Sequence, residues 1–328
     1  MKLTIKEINK LTKDFLSGLG YVDEEVNYIA ENLIDAQMSG RKTHGLVRLL
    51  GFRKTAQEGK VITDYKDLDI ISETPTSLHV DGHSKLGYSI IYRSLEKSIK
   101  KAKEVGMVAV GLKNIGVSGY IGAYARKATE QDLIFIGFNN SPGGLVPHGA
   151  KKELWGTDPL TIGVPTNGIP VILDMASSMI TWGDLLVAKN ENKPIKEGVA
   201  IDSEGNLTTD AEKATGGGLL PFAGHKGSGL AFIVELLGGA LTGSRVGYSV
   251  AGGWGSFYIL VNPAMFRKLD EFKKEVETAI KELKTAPKMK GFEEIYFAGE
   301  QSAIKMEEAL KNDVVEVSDT LYNAIREK

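Results

Sequence analysis

Five short apolar runs alternate with glycine-rich turns between Met107 and Val261, and strongly helical periods flank them on both sides. No other feature of the chain limits its fold as much. The runs, Met107–Leu112, Leu133–Phe138, Leu160–Val164, Val171–Leu173 and Gly255–Val261, have the length and residue types of strands. Polar, glycine-rich loops at 114–122, 139–149 and 216–229 lie between them, and a helix through Leu230–Leu241 follows the third. An extended segment at Ser77–Gly82 and a helix from about Ser89 to Val105 precede this region. At the N-terminal end Thr4 and Glu7 stand at capping-box spacing, and Ile8, Leu11 and Phe15 recur at helical intervals up to Gly18. A second helix begins near Asp23 with Val26, Ile29, Ala30, Leu33 and Ile34 on one face; two more stretches, 264–285 and 302–325, read as helical. The class is therefore α/β. The two helical ends are expected to pack together as one domain, 1–76 with 262–328, into which 77–261 is inserted.

Charge and residue usage narrow the partners. Forty basic and 42 acidic residues leave a net charge of −2, which gives no reason to expect nucleic acid or an anionic membrane surface. With no cysteine, disulfides, thiolate metal sites and thiol catalysis are excluded. No window approaches the roughly 18 apolar residues of a membrane span, and the first residues lack a signal core, so a cytoplasmic location is expected. The chain lacks G-x-G-x-x-G, the phosphate-loop pattern, G-x-S-x-G and H-E-x-x-H. Of its five histidines His79 and His83 stand four apart, but they flank the turn signal Val80-Asp81-Gly82 and are not on a helix, so no metal is expected.

Four local constellations carry chemistry. In Thr43-His44-Gly45-x-x-Arg48, a helical segment would place a proton-transferring imidazole and a carboxylate-binding guanidinium on one face. A helix-end His with a solvated Arg fits the same spacing. Gly224-His225-Lys226-Gly227-Ser228-Gly229, ahead of an apolar helix, suits an anion such as a nucleotide phosphate, or a plain turn. Asp174, closing an apolar run, can meet a ribose hydroxyl or an amide, or serve as an N-cap. Asp184 in Trp182-Gly183-Asp184 is a turn residue unless it meets His44.

In order along the chain, these segments join Val80-Asp81-Gly82, Asn139-Asn140-Ser141-Pro142, Gly156-Thr157-Asp158-Pro159-Leu160, Leu173–Ser178, Leu220-Pro221-x-x-Gly224-His225-Lys226-Gly227, Glu235–Gly243 and Gly299-Glu300. The ordered set resembles the malate/L-lactate dehydrogenase family of NAD(P)-dependent oxidoreductases, which includes ureidoglycolate and sulfolactate dehydrogenases, diketogulonate reductase and cyclic-imine reductases. The resemblance implies a non-Rossmann, mixed-sheet dinucleotide-binding domain at 77–261, NAD or NADP as cofactor, a small carboxylate substrate and a homodimer. By motif it implies His44 as acid/base and Arg48 as carboxylate clamp, with Thr43 beside it. Ser118, Asn140, Ser141, Thr157, Asp174, Met175, Ala176, Ser177, Ser178, His225, Lys226, Gly227 and Glu300 are implied to bind the cofactor.

One departure bears on the chemistry. The family's Asn-Ser-x-His-Phe-Gly segment appears here as Asn114–Gly119, with Val117 at the His position. Valine transfers no proton, so either His44 does that work or ordinary ketoacid chemistry is lost; His148 is a further candidate. Asp184 matches the imine-reducing branch, where it pairs with the His, and a carboxylate–imidazole pair is chemically apt. Three readings follow: a 2-hydroxy/2-oxo acid oxidoreductase, a reductase of a cyclic imine carboxylate, and a nucleotide-binding protein without turnover.

Overall fold

The computed structural model of the chain describes residues 1–59 and 67–327. After β1 (Lys2–Leu3), the Thr4 hydroxyl accepts from Glu7 N at 3.1 Å while the Glu7 carboxylate accepts from Thr4 N at 2.8 Å. That reciprocal cap starts α1 (Ile5–Gly18). Next, α2 (Asp23–Met38) buries Val26, Ile29, Ala30, Leu33 and Ile34, the face its periodicity predicts. A 3₁₀ turn at Lys42–His44 then leads to α3 (Arg48–Gln57).

The middle of the chain builds a seven-stranded mixed sheet. It starts with β2 (Asp69–Thr74) and β3 (Ser77–Asp81), and α4 (Gly87–Val105) carries the chain back to β4 (Met107–Ile115), parallel to β3. Then α5 (Ile121–Thr129) precedes β5 (Ile134–Asn139), β6 (Leu160–Val164) and β7 (Val171–Met175). An excursion follows: α6 (Trp182–Asn190), β8 (Ala200–Ile201), α7 (Ala211–Gly217) and β9 (Gly218–Leu219) enclose a small core of their own around Leu185, Val199 and Leu219. After α8 (His225–Val234) and a π-helical turn, Glu235–Ala240, β10 (Trp254–Val261) enters the sheet between β4 and β5. The order is β2-β3-β4-β10-β5-β6-β7, and every pairing except β3–β4 is antiparallel.

Strand alternation assigns the two faces. Val108, Val110 and Leu112 of β4 and Tyr258 and Leu260 of β10 are buried in one cluster with Tyr92, Leu95, Ile99 and Tyr124 of α4 and α5. Each fully buried aliphatic side chain there contributes roughly 1.5–3 kcal/mol. Gly111, of opposite parity, faces Thr242 just past the π-helical turn, so α8 and its continuation cover the other face. Beyond β10 come α9 (Leu269–Thr285), α10 (Glu300–Asn312), β11 (Val315–Glu316) and α11 (Asp319–Arg326). The chain ends do meet: β1 pairs antiparallel with β11, and Leu3, Ile8, Leu33, Leu49, Val315 and Ile325 share one core.

Four expectations change. Asp69–Thr74, on the helical side of the expected boundary at residue 76, is the edge strand of the sheet; 60–66 of that range lie outside the described residues. The helix expected from Leu230 starts at His225, so the last third of the glycine-rich loop is its first turn. The stretch 302–325 breaks at Asp313, whose left-handed backbone (φ 49°) ends α10 ahead of β11. Residues 264–285 open as a 3₁₀ turn and become α-helical only at Leu269. No helix among the described residues is long and apolar enough to cross a membrane.

Candidate active site

The connection from α2 to α3 presents the histidine. A Cβ on Gly45 would lie 2.4 Å from Gln37 Oε1 and 3.2 Å from Gln37 Cα, so a larger residue would have to displace the Gln37 side chain from this turn. Gln37 Oε1 in turn accepts from Leu46 N at 3.3 Å, fixing the residue after the turn. Gly45 also breaks the helical path, and Arg48 begins α3 afresh. The expected single helix carrying both His44 and Arg48 is therefore absent, yet both side chains line one cavity of about 600 Å³.

That cavity lies where the α2–α3 connection meets the carboxyl ends of β5 and β7. Its walls include Arg41, Lys42, Thr43, His44 and Arg48; Val117, Ser118 and Tyr120; Asn139, Asn140 and Ser141; Thr157; Asp174 and Ala176; Trp182, Asp184 and Trp254. Buried Asn32 of α2 pins the loop ahead of α5, accepting from Tyr120 N at 2.8 Å and donating to Tyr120 O at 3.0 Å. His44 Nδ1 lies 3.2 Å from Thr43 Oγ1. Burial first, then the guanidinium charges of Arg48 and Arg41, push its pKa down to about 4, against a weaker opposing pull from Asp184. The imidazole is thus neutral at pH 7. Neither the Arg41 nor the Arg48 guanidinium makes a hydrogen bond or ion pair with another described residue.

The carboxylates are more constrained. Asp174 is a strand residue, not an N-cap of its own segment. Its Oδ1 accepts from Thr161 Oγ1 at 2.7 Å, and its Oδ2 accepts from Gly122 N at 3.0 Å in the first turn of α5. Burial raises its pKa against those bonds. Asp184 is the N3 member of a capping box: its Oδ2 accepts from Thr181 N and Oγ1, at 3.2 and 2.7 Å. No hydrogen bond joins Asp184 to His44 among the described residues, so the expected His–Asp pair is only a long-range attraction.

Behind the wall, Asp158 and Glu235 are both buried. Asp158 Oδ1 accepts from Ser141 N at 3.2 Å and Glu235 Oε2 from Gly247 N at 2.8 Å, leaving Asp158 Oδ2 and Glu235 Oε1 without a hydrogen-bond partner among the described residues. Burial and then the charge of Glu235 push Asp158 well up, and burial raises Glu235 too. Asn140 is structural through its side chain, accepting from Gly255 N at 2.7 Å and donating to Arg245 O at 2.8 Å.

Of the expected cofactor set, Ser118, Asn140, Ser141, Thr157, Asp174 and Ala176 line the cavity. Met175, Ser177, Ser178, His225, Lys226 and Gly227 do not, but they continue from it. Ser177 and Ser178 run beside Pro221 and Phe222 toward the start of α8, where a Cβ on Gly227 would meet Phe222 O at 2.3 Å. His225 and Lys226 are exposed on the first turn of α8. Glu300 is outside both places; its carboxylate accepts from Lys284 Nζ at 2.6 Å and Phe297 N at 3.2 Å. His148 is also outside the cavity, exposed with its ring 6.1 Å from that of His225. Residues not singled out by spacing include Arg41, Lys42 and Asn139. Asn139 Oδ1 is buried on the wall with no hydrogen-bond partner among the described residues. Its place in Asn139-Asn140-Ser141-Pro142 was the available signal.

A family model described as malate/L-lactate dehydrogenase matches residues 3–326. The chain is 34% identical over 327 residues to the L-sulfolactate dehydrogenase of Methanocaldococcus jannaschii, covering 97% of this chain and 93% of that protein. The solved sulfolactate dehydrogenase structure from that organism matches at TM-score 0.89 and 33% identity, covering 99% and 96% of the two chains. A malate dehydrogenase of Pyrococcus horikoshii is 35% identical over 90% of this chain and 86% of its own length. Two further relatives, a (2R)-3-sulfolactate dehydrogenase (NADP(+)) and a ureidoglycolate dehydrogenase (NAD(+)), carry the coenzyme in their names.

Proposed function

We propose, on the premise that the chain belongs to the malate/L-lactate dehydrogenase family and is an NAD(P)-dependent oxidoreductase, that it interconverts a small 2-hydroxy acid and its 2-oxo acid. A neutral, partly buried imidazole and an unpartnered guanidinium in one cavity carry this reading. Arg48 binds the substrate carboxylate through its planar fork. His44 Nε2 takes the hydroxyl proton during oxidation and returns it to the carbonyl oxygen during reduction.

The residues present fit NAD or NADP. Asn139 Oδ1 is a buried acceptor in want of a donor, which a carboxamide N–H₂ or a hydroxyl supplies. The strip from Ala176 to Gly227 leads to a helix start with exposed Lys226, suited to a phosphate. When bound, the coenzyme accepts or supplies the hydride. We assign coenzyme binding to residues 77–261 together with β2, and the other domain to the helical ends. Phe232, Ile233 and Leu236, exposed at 50%, 46% and 40% on one side of α8 and its π continuation, support a homodimer.

The cyclic-imine reading keeps one observation in its favour: Val117 adds no proton donor to the wall, and a protonated imine needs none. Against it, an iminium would enter among three cations, Arg41, Lys42 and Arg48. NAD(P)H oxidation measured against 2-oxo acids and cyclic ketimine carboxylates tests the proposal. Turnover of the ketimines alone overturns it.

A further inference from the structure

A second, smaller recess of about 130 Å³ lies between the end of α2 and the start of α10. Gly40 and Arg41 belong to its wall and to that of the large cavity. The edge strand β7 holds the start of α10 in place. Ala298 O accepts from Ile172 N at 2.9 Å, and a Cβ on Gly299, whose φ is 86°, would lie 2.7 Å from Ile172 O. No side chain caps this helix. Glu300 N and Ala303 N reach the carbonyls of Phe297 and Gly299, whereas Gln301 N and Ser302 N find no acceptor among the described residues.

Ser302 gives an independent sign of a ligand. It is 7% exposed and lines the recess, yet its hydroxyl has no hydrogen-bond partner among the described residues. A buried hydroxyl left unpaired is costly, so a partner from outside the chain accounts for it. Lys305, one turn further along, also lines the recess; its Nζ lies 3.1 Å from the place a Cβ on Gly40 would take. It makes no ion pair among the described residues. No acid lines the recess, and the acids beside it are paired: Asp35 with Arg126 at 2.7 Å, Glu300 with Lys284 at 2.6 Å.

We propose that the start of α10 is a phosphate site. The N–H groups of Gln301 and Ser302, the Ser302 hydroxyl and the Lys305 ammonium hold the oxygens, and Arg41 closes the side toward the large cavity. Donors from two elements suit the tetrahedral oxygens of a phosphate better than the planar pair of a carboxylate. Whole small-molecule sites run to about 300–1,000 Å³, so the recess takes one group and not an entire ligand. Two carriers supply that group. One is the 2′-phosphate that distinguishes NADP from NAD, on a coenzyme bound in the adjoining cavity; this carrier rests on the reading given under Proposed function. The other is free phosphate.

The test uses wild type, Lys305→Gln and Ser302→Asp. Fluorescence titration gives the Kd of NADPH and of NADH, and thermal melts compare inorganic phosphate with sodium chloride at equal ionic strength. An Asp in the first turn of a helix meets the same N–H groups, so Ser302→Asp should keep the Tm of the ligand-free protein while closing the site. If the coenzyme carries the phosphate, wild type prefers NADPH to NADH, and each variant weakens NADPH about 10–100-fold, as loss of a charged hydrogen bond does, with NADH unchanged. If the phosphate is free, the two coenzymes bind alike, and phosphate raises the Tm of wild type but of neither variant. The proposal is overturned if both variants leave NADPH affinity and the phosphate response as they are in wild type, or if wild type neither prefers NADPH nor responds to phosphate. Failure of both coenzymes to bind wild type overturns the functional reading, and the phosphate melts still decide the recess.

Discussion

Changing the pH tests the site most directly, because the cavity fixes where His44 titrates. Burial and two guanidinium charges take it from 6.5 to about 4. At about 1.36 kcal/mol per pH unit, protonating the imidazole in the free protein costs about 3 kcal/mol more than protonating an ordinary histidine. At pH 7 roughly one molecule in a thousand carries the imidazolium. For oxidation the neutral base is required, and it is already present throughout the working range. The kcat/KM for hydroxy acid oxidation should therefore show no His44 limb between pH 9 and 5. Reduction from the free enzyme requires the acid, so kcat/KM for the 2-oxo acid should rise about tenfold for each pH unit lost from 8 down to 5, with no plateau near 6.5.

The sign is set by the depressed value: the folded protein refuses a proton that an unperturbed imidazole accepts below pH 6.5. Stopped-flow measurement of both directions across pH 5–9, with His44→Gln as the control that removes the reduction slope, decides the matter. An NMR titration of the His44 ring, assigned among five histidines by loss of its signal in His44→Gln, gives the same number without turnover. A reduction profile that levels off near pH 6.5, or a ring titrating there, would show that the cavity does not perturb His44 and would refute the reasoning.

Three further outcomes are expected. NADH or NADPH should raise the Tm by mass action, and Lys226→Ala should weaken binding by about 1–3 kcal/mol if its ammonium meets a phosphate; equal affinity in calorimetry would leave Lys226 a surface residue. Asp184→Asn retains a side-chain oxygen for the Thr181 cap, so kcat should stay within about threefold of wild type; a loss of 10²-fold or more would restore Asp184 to a direct partnership with His44. Asp158 and Glu235 have raised folded pKa values, so their contribution to stability is present at low pH and lost as pH rises through the folded value of the pair. Asp158→Asn removes one of the two buried acids and tolerates the local φ of 39°, so its Tm should decline less than wild type's toward pH 10; parallel declines would show that the pair does not set the pH dependence.

Much of the sheet was legible because one face of each central strand is dry. In β4 and β10 the buried positions alternate, and the apolar runs mark them. The strand β2 could not be found that way: all six of its residues are exposed, so it carries no alternating pattern and owes its place to pairing with β3. The first turn of α8 was hidden by its glycines, which lower helix propensity. Gly227 is nevertheless required there, because Phe222 and Ser177 leave no room for a Cβ. At the site, residue types were visible and partnerships were not. Asp184 looked like a partner for His44 because both belong to suitable chemistry, but a hydroxyl three residues away, Thr181, holds its carboxylate first. The Asp158–Glu235 pair spans 77 positions of sequence, and neither residue's neighbours announce the other.

The proton inventory of the cavity then bears on Val117. Valine packs there against the helical core, so that wall offers nothing to titrate. Tyr120 is pushed up to about 12 by burial, too weak an acid to serve at neutral pH. Asp174 has both oxygens bonded to Thr161 and Gly122, and protonating it would break a contact that holds α5 in place. Asp184 is tied into the start of α6, and the remaining groups, Arg41, Lys42 and Arg48, are cationic side chains suited to binding anions. Among the groups lining the cavity, His44 combines access with freedom at one ring nitrogen. On the proposed reading, a valine at position 117 therefore leaves the proton transfer to His44.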